Sequence, residues 1–186
     1  MSKSVLISTQ PYYVFLIIAK TMGWDIPQEK TIEVRKTVPK DKDWDKKVII
    51  YCSKSKKSFA KIPKEYQSLM GRLSGKVIGE FVCDTIITDR TFGHNPMFKA
   101  LSCMSDAEIA SYCTANEMYG FHISDLVIYD KPKELSDFRK SCIYGEESDV
   151  SCFSCDKSGY RPDMHIDCFN EVTRPPQSWC YVEELI

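Results

Sequence analysis

The sequence predicts an α+β fold, a small mixed β-barrel of about five or six strands with two or three flanking helices. Three observations predict it. Short runs rich in β-branched residues recur along the chain. Helical stretches lie between them. The 186 residues are 43% hydrophobic and 27% charged, a balance that suits one globular domain with a core of its own.

Val5-Leu6-Ile7 reads as the first strand. Pro11 suits the first turn of a helix over Tyr12 to Met22, apolar over most of its surface and ended by Gly23. Thr31 to Arg35 alternates, with Ile32 and Val34 on one face and Thr31, Glu33 and Arg35 on the other. Val48 to Cys52 is a nearly continuous apolar strand that runs into the basic loop Ser53-Lys-Ser-Lys-Lys-Ser. Pro63 to Leu73 predicts a short helix. Val77 to Ile87 predicts a long strand, with Gly79 marking a bulge or a close approach by another group.

Residues 88–99 read as irregular. Ser105-Asp-Ala-Glu108 is a capping-box pattern opening a helix through about Asn116. Phe121 to Tyr129 is a further strand, Lys133 to Phe138 a short helical turn, and Trp179 to Leu185 the closing strand. The segment between has no hydrophobic period. The expected organisation is a barrel over residues 1–139 and 172–186, with residues 140–171 as a cysteine-rich insertion.

The formal net charge is −1 and the pI about 6.3. A protein that coats nucleic acid by charge alone is far more basic, so a nucleic-acid contact here is expected to be local, a pocket or a stripe. The N-terminus has no apolar run that fits a signal peptide, and Val14 to Ala19 is far too short to span a bilayer. A cytoplasmic protein with no membrane association is expected. Nine cysteines, an odd number without a secretion signal, argue against a disulfide framework.

Lys30-Thr-Ile-Glu33-Val-Arg35, following an N-terminal helix, resembles the ASCH signature of glycine-x-lysine-x-x-glutamate-x-arginine. Val48-Ile-Ile-Tyr-Cys-Ser-Lys, Gly75-Lys-Val-Ile-Gly-Glu-Phe, His122-Ile-Ser-Asp-Leu with Tyr129-Asp-Lys-Pro, and Arg174-Pro-Pro-Gln-Ser-Trp179 resemble stretches of bacterial and phage ASCH proteins in the same order. Two departures are visible. Gln28 stands where the signature has glycine, and the loop before Lys30 is longer than usual. The resemblance implies a PUA-like barrel of the kind that binds RNA. A small ASCH protein hydrolyses N4-acylated cytidine with a threonine and a lysine of the signature strand and a glutamate from elsewhere. Lys30 occupies that lysine position here, but Glu33 stands where the threonine would be, so the activity does not carry over.

Several constellations bear on function. Glu33 and Arg35 share a face of their strand and Lys30 sits at its entrance. Such a cluster suits a phosphate through Lys30 and Arg35, or a base edge through Glu33; it also suits a plain surface salt bridge. His122, with Ser124 on the same face by alternation, offers a base-stacking ring or an acid–base group near neutral pH, or a core histidine bonded to a carbonyl. Lys54, Lys56 and Lys57 form a phosphate track or a solvated loop, flanked by Tyr51 and Phe59. Trp179 is expected to pack the last strand on the barrel, with Gln177 near the cleft or in a loop.

Cys152-x2-Cys155-x9-His165-x2-Cys168 has the ligand types and spacing of a structural zinc site, with Cys142 as an alternative to His165. A redox-labile pair at Cys152 and Cys155, or an insertion with reduced thiols, fits the same residues. No organic cofactor is expected.

The leading expectation is a binding module for RNA or a modified nucleotide. An amidohydrolase or ribonuclease using Lys30, Glu33 and His122, and a phage or mobile-element adaptor that binds a protein partner, are the alternatives. Elemental analysis of the purified protein is expected to find about one zinc per chain. None, in protein prepared without chelator, retires the metal.

Overall fold

β-branched and aliphatic residues at the start of the chain form β1 (Ser4–Thr9), in which Val5, Leu6 and Ile7 are fully buried. Pro11, with its fixed φ and missing N–H, opens α1 (Pro11–Ile18). The chain then turns through Gly23, whose φ of 66° favours glycine. The computed structural model describes residues 4–39, 46–91, 95–112, 117–140 and 171–184.

The signature strand is β2 (Ile32–Arg35), and the apolar run after it is β3 (Lys46–Cys52). Two helices follow, α2 (Lys56–Phe59) within the basic loop and α3 (Lys64–Leu73). Next come β4 (Val77–Cys83), β5 (Ile86–Asp89), α4 (Pro96–Ser102) and α5 (Asp106–Tyr112). The last strands are β6 (Met118–His122), β7 (Ser124–Lys133), β8 (Phe138–Lys140) and β9 (Trp179–Glu184), with one 3-10 turn at Leu135–Asp137.

Six strands form one sheet in the order β7-β4-β3-β1-β9-β8, and three form a second in the order β2-β6-β5. Among the described strands β1 and β3 run parallel, and the other pairings are antiparallel. The main core lies between α1 and the larger sheet, around Phe15, Ile50, Phe81 and Phe121. A smaller core lies between β2, β6, α4 and α5, around Ile32, Phe98, Ile109 and Met118.

The α+β expectation holds. The strands are more numerous than expected and, as described, form two sheets rather than a closed barrel. The difference has one physical source. The run Val77 to Ile87 bends at Asp84-Thr85 and becomes β4 and β5, and the run Phe121 to Tyr129 bends at Ile123 and becomes β6 and β7. Both bends lie at one corner, where the His122 N–H donates to the Thr85 carbonyl at 3.0 Å. Strands that switch sheets through such a bend make the corners of packed sheets. Asp125, just past the corner, takes a φ of 45°.

Residues 96–99, expected to be irregular, begin α4 instead. Asn95 caps it, accepting from the Met97 and Phe98 N–H groups, and Pro96 occupies its first turn. The capping box of α5 forms as expected: the Glu108 N–H donates to Ser105 Oγ, and the Ser105 N–H to Glu108 Oε2 at 2.9 Å.

Cys142, Cys152, Cys155, His165 and Cys168 lie outside the described residues, as does Cys113. The flanks of that segment meet. Arg139 and Glu171 form an antiparallel bridge, and the Val172 N–H donates to the Phe138 carbonyl at 2.9 Å. Among the described residues no helix is long and apolar enough to cross a membrane.

Gly79 sits at a register shift between β4 and β7. A Cβ built there would lie 2.3 Å from the Val127 carbonyl oxygen and 3.1 Å from Ile128 Cα. Backbone cannot step aside as a side-chain tip can. Gly79→Ala is therefore expected to cost about 1–3 kcal/mol, as overpacking does. Chemical denaturation checks this, and an unchanged midpoint would mean that β7 is free to move.

Candidate functional site

β2 alternates as its sequence requires. Ile32 and Val34 enter the smaller core, which leaves Glu33 and Arg35 on the opposite face. That face is not a solvated surface. Lys30 is 2% exposed, Glu33 3% and Arg35 6%, so three charges sit together away from water.

Each is held by named partners. Lys30 Nζ donates to the Ser102 carbonyl at 2.8 Å, at the C-terminal end of α4, where the helix dipole favours a cation. The Lys30 ammonium also lies 4.7 Å from the centroid of the Tyr13 ring. Arg35 Nη1 donates to Glu33 Oε1 at 2.7 Å, and Nη2 to the Ser8 carbonyl at 3.1 Å. Thr9 Oγ1 donates to the same Glu33 oxygen at 3.2 Å. Glu33 Oε2 is 3.4 Å from Lys30 Nζ, an ion pair at the long end of contact. Glu33 Oε2 and Arg35 Nε are thus buried polar atoms without a hydrogen-bond partner. Burial pushes the Lys30 ammonium below its ordinary 10.5, and the Glu33 carboxylate opposes that shift.

These residues line a cavity of about 370 Å³. Lys57 comes to it from the basic loop, Lys61 from the turn between α2 and α3, Tyr13 from α1, and Glu108, Ser111 and Tyr112 from α5. Glu108 joins these parts. It accepts from Lys61 Nζ at 2.5 Å and from Ser105 Oγ at 2.7 Å, and Tyr13 bonds to it as well. Burial raises the Glu108 carboxyl, but its bonds from Lys61, Ser105 and Tyr13 outweigh burial and hold it at about 2. Burial, then the Glu108 charge, pushes the Tyr13 phenol well above its ordinary 10.0, so it stays a hydrogen-bond donor.

Lys30, Glu33 and Arg35 therefore come together as the sequence predicts, and Gln177 joins them on the cavity wall. Four other expected residues lie elsewhere. Lys54 borders a separate shallow depression with Phe59, Gln67 and Ser74, its stem packed against Gly75. Tyr51, expected beside the lysines, is buried against Leu6 and Val182 in the core. His122 Nδ1 pairs with Asp84 Oδ1 at 2.6 Å, and Ser124 Oγ donates to the Val82 carbonyl at 2.9 Å. Both sit at the corner between the sheets and outside the cavity lining. Trp179 packs against the main core, and its indole N–H donates to Thr37 Oγ1 at 3.1 Å.

Tyr13, Lys61 and Glu108 are site residues that sequence reasoning missed. The capping box did single out Glu108, but only as a helix start. Tyr13 reads as one more apolar position in α1. Lys61 carries no sequence signal of its own.

The sequence matches no protein-family model and no curated protein. Solved structures do match by shape. The crystal structure of ASCH from Zymomonas mobilis aligns with a TM-score of 0.55 at 15% identity, covering 97% of this chain and 88% of that one. A single-residue mutant of the same protein aligns at 0.56 and 14% identity, covering 97% and 89%. The fold is that of an ASCH domain.

Glu108 also supplies a pH prediction. Its native carboxyl sits at about 2 against an ordinary 4.5, so its bonds stabilise the fold above pH 4.5 and are lost as pH falls toward 2. Melting temperatures of wild type are expected to drop across that window, and Glu108→Gln to flatten the drop. Equal pH slopes for the two proteins would contradict the assignment.

Proposed function

We propose that this chain is a binding module that holds RNA or a nucleotide-like ligand in the cavity over β2. The unspent hydrogen-bonding capacity of the buried cluster supports this most directly. Glu33 Oε2 and Arg35 Nε are buried atoms without a hydrogen-bond partner, in residues that line the cavity. A carboxylate oxygen in that position accepts from the amino or imino group of a base edge. A guanidinium N–H, with Lys57 and Lys61 at the rim, suits a phosphate. The resemblance of the Lys30 to Arg35 stretch to the ASCH signature favours a nucleic-acid ligand over other anions. With a net charge of −1, such binding engages few phosphates and depends weakly on salt.

A hydrolase is the less favoured reading. The hydroxyl that the signature strand lacks is supplied nearby by Thr9, within reach of Glu33. Thr9, however, is 1% exposed and is no part of the cavity wall. Its hydroxyl orients the carboxylate and has no path to a substrate. His122, the third acid–base candidate, is tied up at the sheet corner.

The test is calorimetric titration with nucleosides, nucleoside monophosphates and short RNAs, with chromatography of each mixture for products. Alanine at Lys30 or Arg35 would leave a buried carboxylate uncompensated and destabilise the fold, so gentler changes are used. Arg35→Lys and Glu33→Gln, checked for folding by circular dichroism, are expected to weaken binding by roughly tenfold to a hundredfold. This is the loss of a charge-assisted hydrogen bond of about 1.5–3 kcal/mol. Unchanged affinity in folded variants would remove the cavity as the site. Turnover of any member would favour the hydrolase, and silence across the panel a protein-binding role.

A further inference from the structure

The two strand bends meet at one ionisable pair. Asp84 lies between β4 and β5, and His122 is the last residue of β6. His122 Nδ1 bonds to Asp84 Oδ1 at 2.6 Å. The two side chains are 39% and 45% exposed, so protons from solvent reach the ring freely.

Backbone bonds carry this corner to the cavity wall. The Ile123 N–H donates to the Thr31 carbonyl at 2.9 Å, and the Thr31 N–H donates to the Leu101 carbonyl of α4 at 3.0 Å. Ile32 stands opposite His122 in the β2–β6 ladder. Thr31 is the residue between Lys30 and Ile32. The corner is thus bonded to the strand that bears Glu33 and Arg35, next to the helix end that holds Lys30.

The surroundings leave the titration of this corner to one residue. Histidine side chains change charge between about pH 5 and 8. Asp84 is the charged group paired with the ring. The bond from His122, chiefly, holds its carboxyl below the ordinary 3.8, and the Ser124 hydroxyl of β7 assists. What Asp84 contributes to stability is therefore full above pH 3.8 and lost only below it, outside the histidine range. The Cys83 thiol of β4 is pushed up to about 12 by burial and stays neutral. Asp125 of β7 is exposed, and its charge favours the same protonated ring. Thr31 and Ile32 bring no charge, nor does Ile86 of β5. With His122 neutral the pair is an ordinary hydrogen bond. With His122 protonated it is an ion pair with a charge-assisted bond, about twice as strong.

We infer that His122 and Asp84 form a pH-responsive clamp at the corner between the sheets, which tightens in mild acid and, through Thr31, restrains β2 beneath the cavity. The clamp acts on the strand itself, so it does not rest on which ligand the cavity takes.

The test is hydrogen exchange of the full chain followed by NMR, between about pH 5.5 and pH 8, across the histidine range. The His122 ring signals give its midpoint. Protection factors of the Ile123 and Thr31 amides in wild type are expected to rise about twofold to fivefold as pH falls through that midpoint, which is what an exposed ion pair supplies. Amides of α3, remote from the corner, are expected to keep theirs. His122→Asn retains a donor for Asp84 but takes up no proton, and Asp84→Asn removes the charge; both are expected to abolish the rise. Protection of Ile123 and Thr31 that stays level across the His122 midpoint in wild type overturns the inference, whether or not either variant folds. So does a rise shared by every amide, or one that persists in His122→Asn.

Discussion

Taking ionised side chains out of water costs several kcal/mol per ion unless partners replace the lost solvent. β2 buries three of them within six residues of sequence, and much of the surrounding architecture supplies the replacement. The carbonyl at the end of α4 meets Lys30. The carbonyls of Ser8 and Val34 and the hydroxyl of Thr9 meet Arg35. Glu33 ties the two cations together. β1 and α4 are therefore fixed relative to β2 by charge as well as by apolar packing. What these partners leave unmet, at Glu33 Oε2 and Arg35 Nε, belongs to residues that line the cavity.

The face of β2 that carries the site was legible because strand alternation is strict: with Ile32 and Val34 committed to the core, Glu33 and Arg35 had to point the other way. The capping of α5 was legible for a similar reason, since Ser105 and Glu108 form their bonds within one turn. α4 was not recognised although Asn95-Pro96 is a sound start signal, because the residues before it carry no periodic pattern. The division of two long strands was hidden as well. Asp84 and Ile123 interrupt their runs by a bend that only the second sheet explains. Tyr13 and Lys61 belong to elements read separately, and nothing local to either announces that Glu108 brings them together.

His122 shows how a chemically suggestive residue can serve the frame. Its ring bonds to Asp84, and the Asp84 carboxyl is held below its ordinary range chiefly by that bond. Both side chains stand where β4 passes into β5 and β6 into β7. The pair joins the two bends and so fixes the angle between the sheets. That angle in turn sets the distance from the larger sheet, with Ser8 and the basic loop, to β2. The width of the cavity is thus decided partly at a corner outside its walls.

Arg139 and Glu171 are far apart in sequence and bridge at neighbouring positions beside β8, and Arg139 also holds Glu183 of β9 through two hydrogen bonds. The chain thus leaves the sheet beside Arg139 and returns to it beside Glu171 and Val172. Closing a longer loop between two fixed ends adds little to the entropic cost, which grows only with the logarithm of loop length. Arg139 and Glu171 therefore act as a fixed doorway in the sheet, across which a change in loop length costs the sheet and the cavity little.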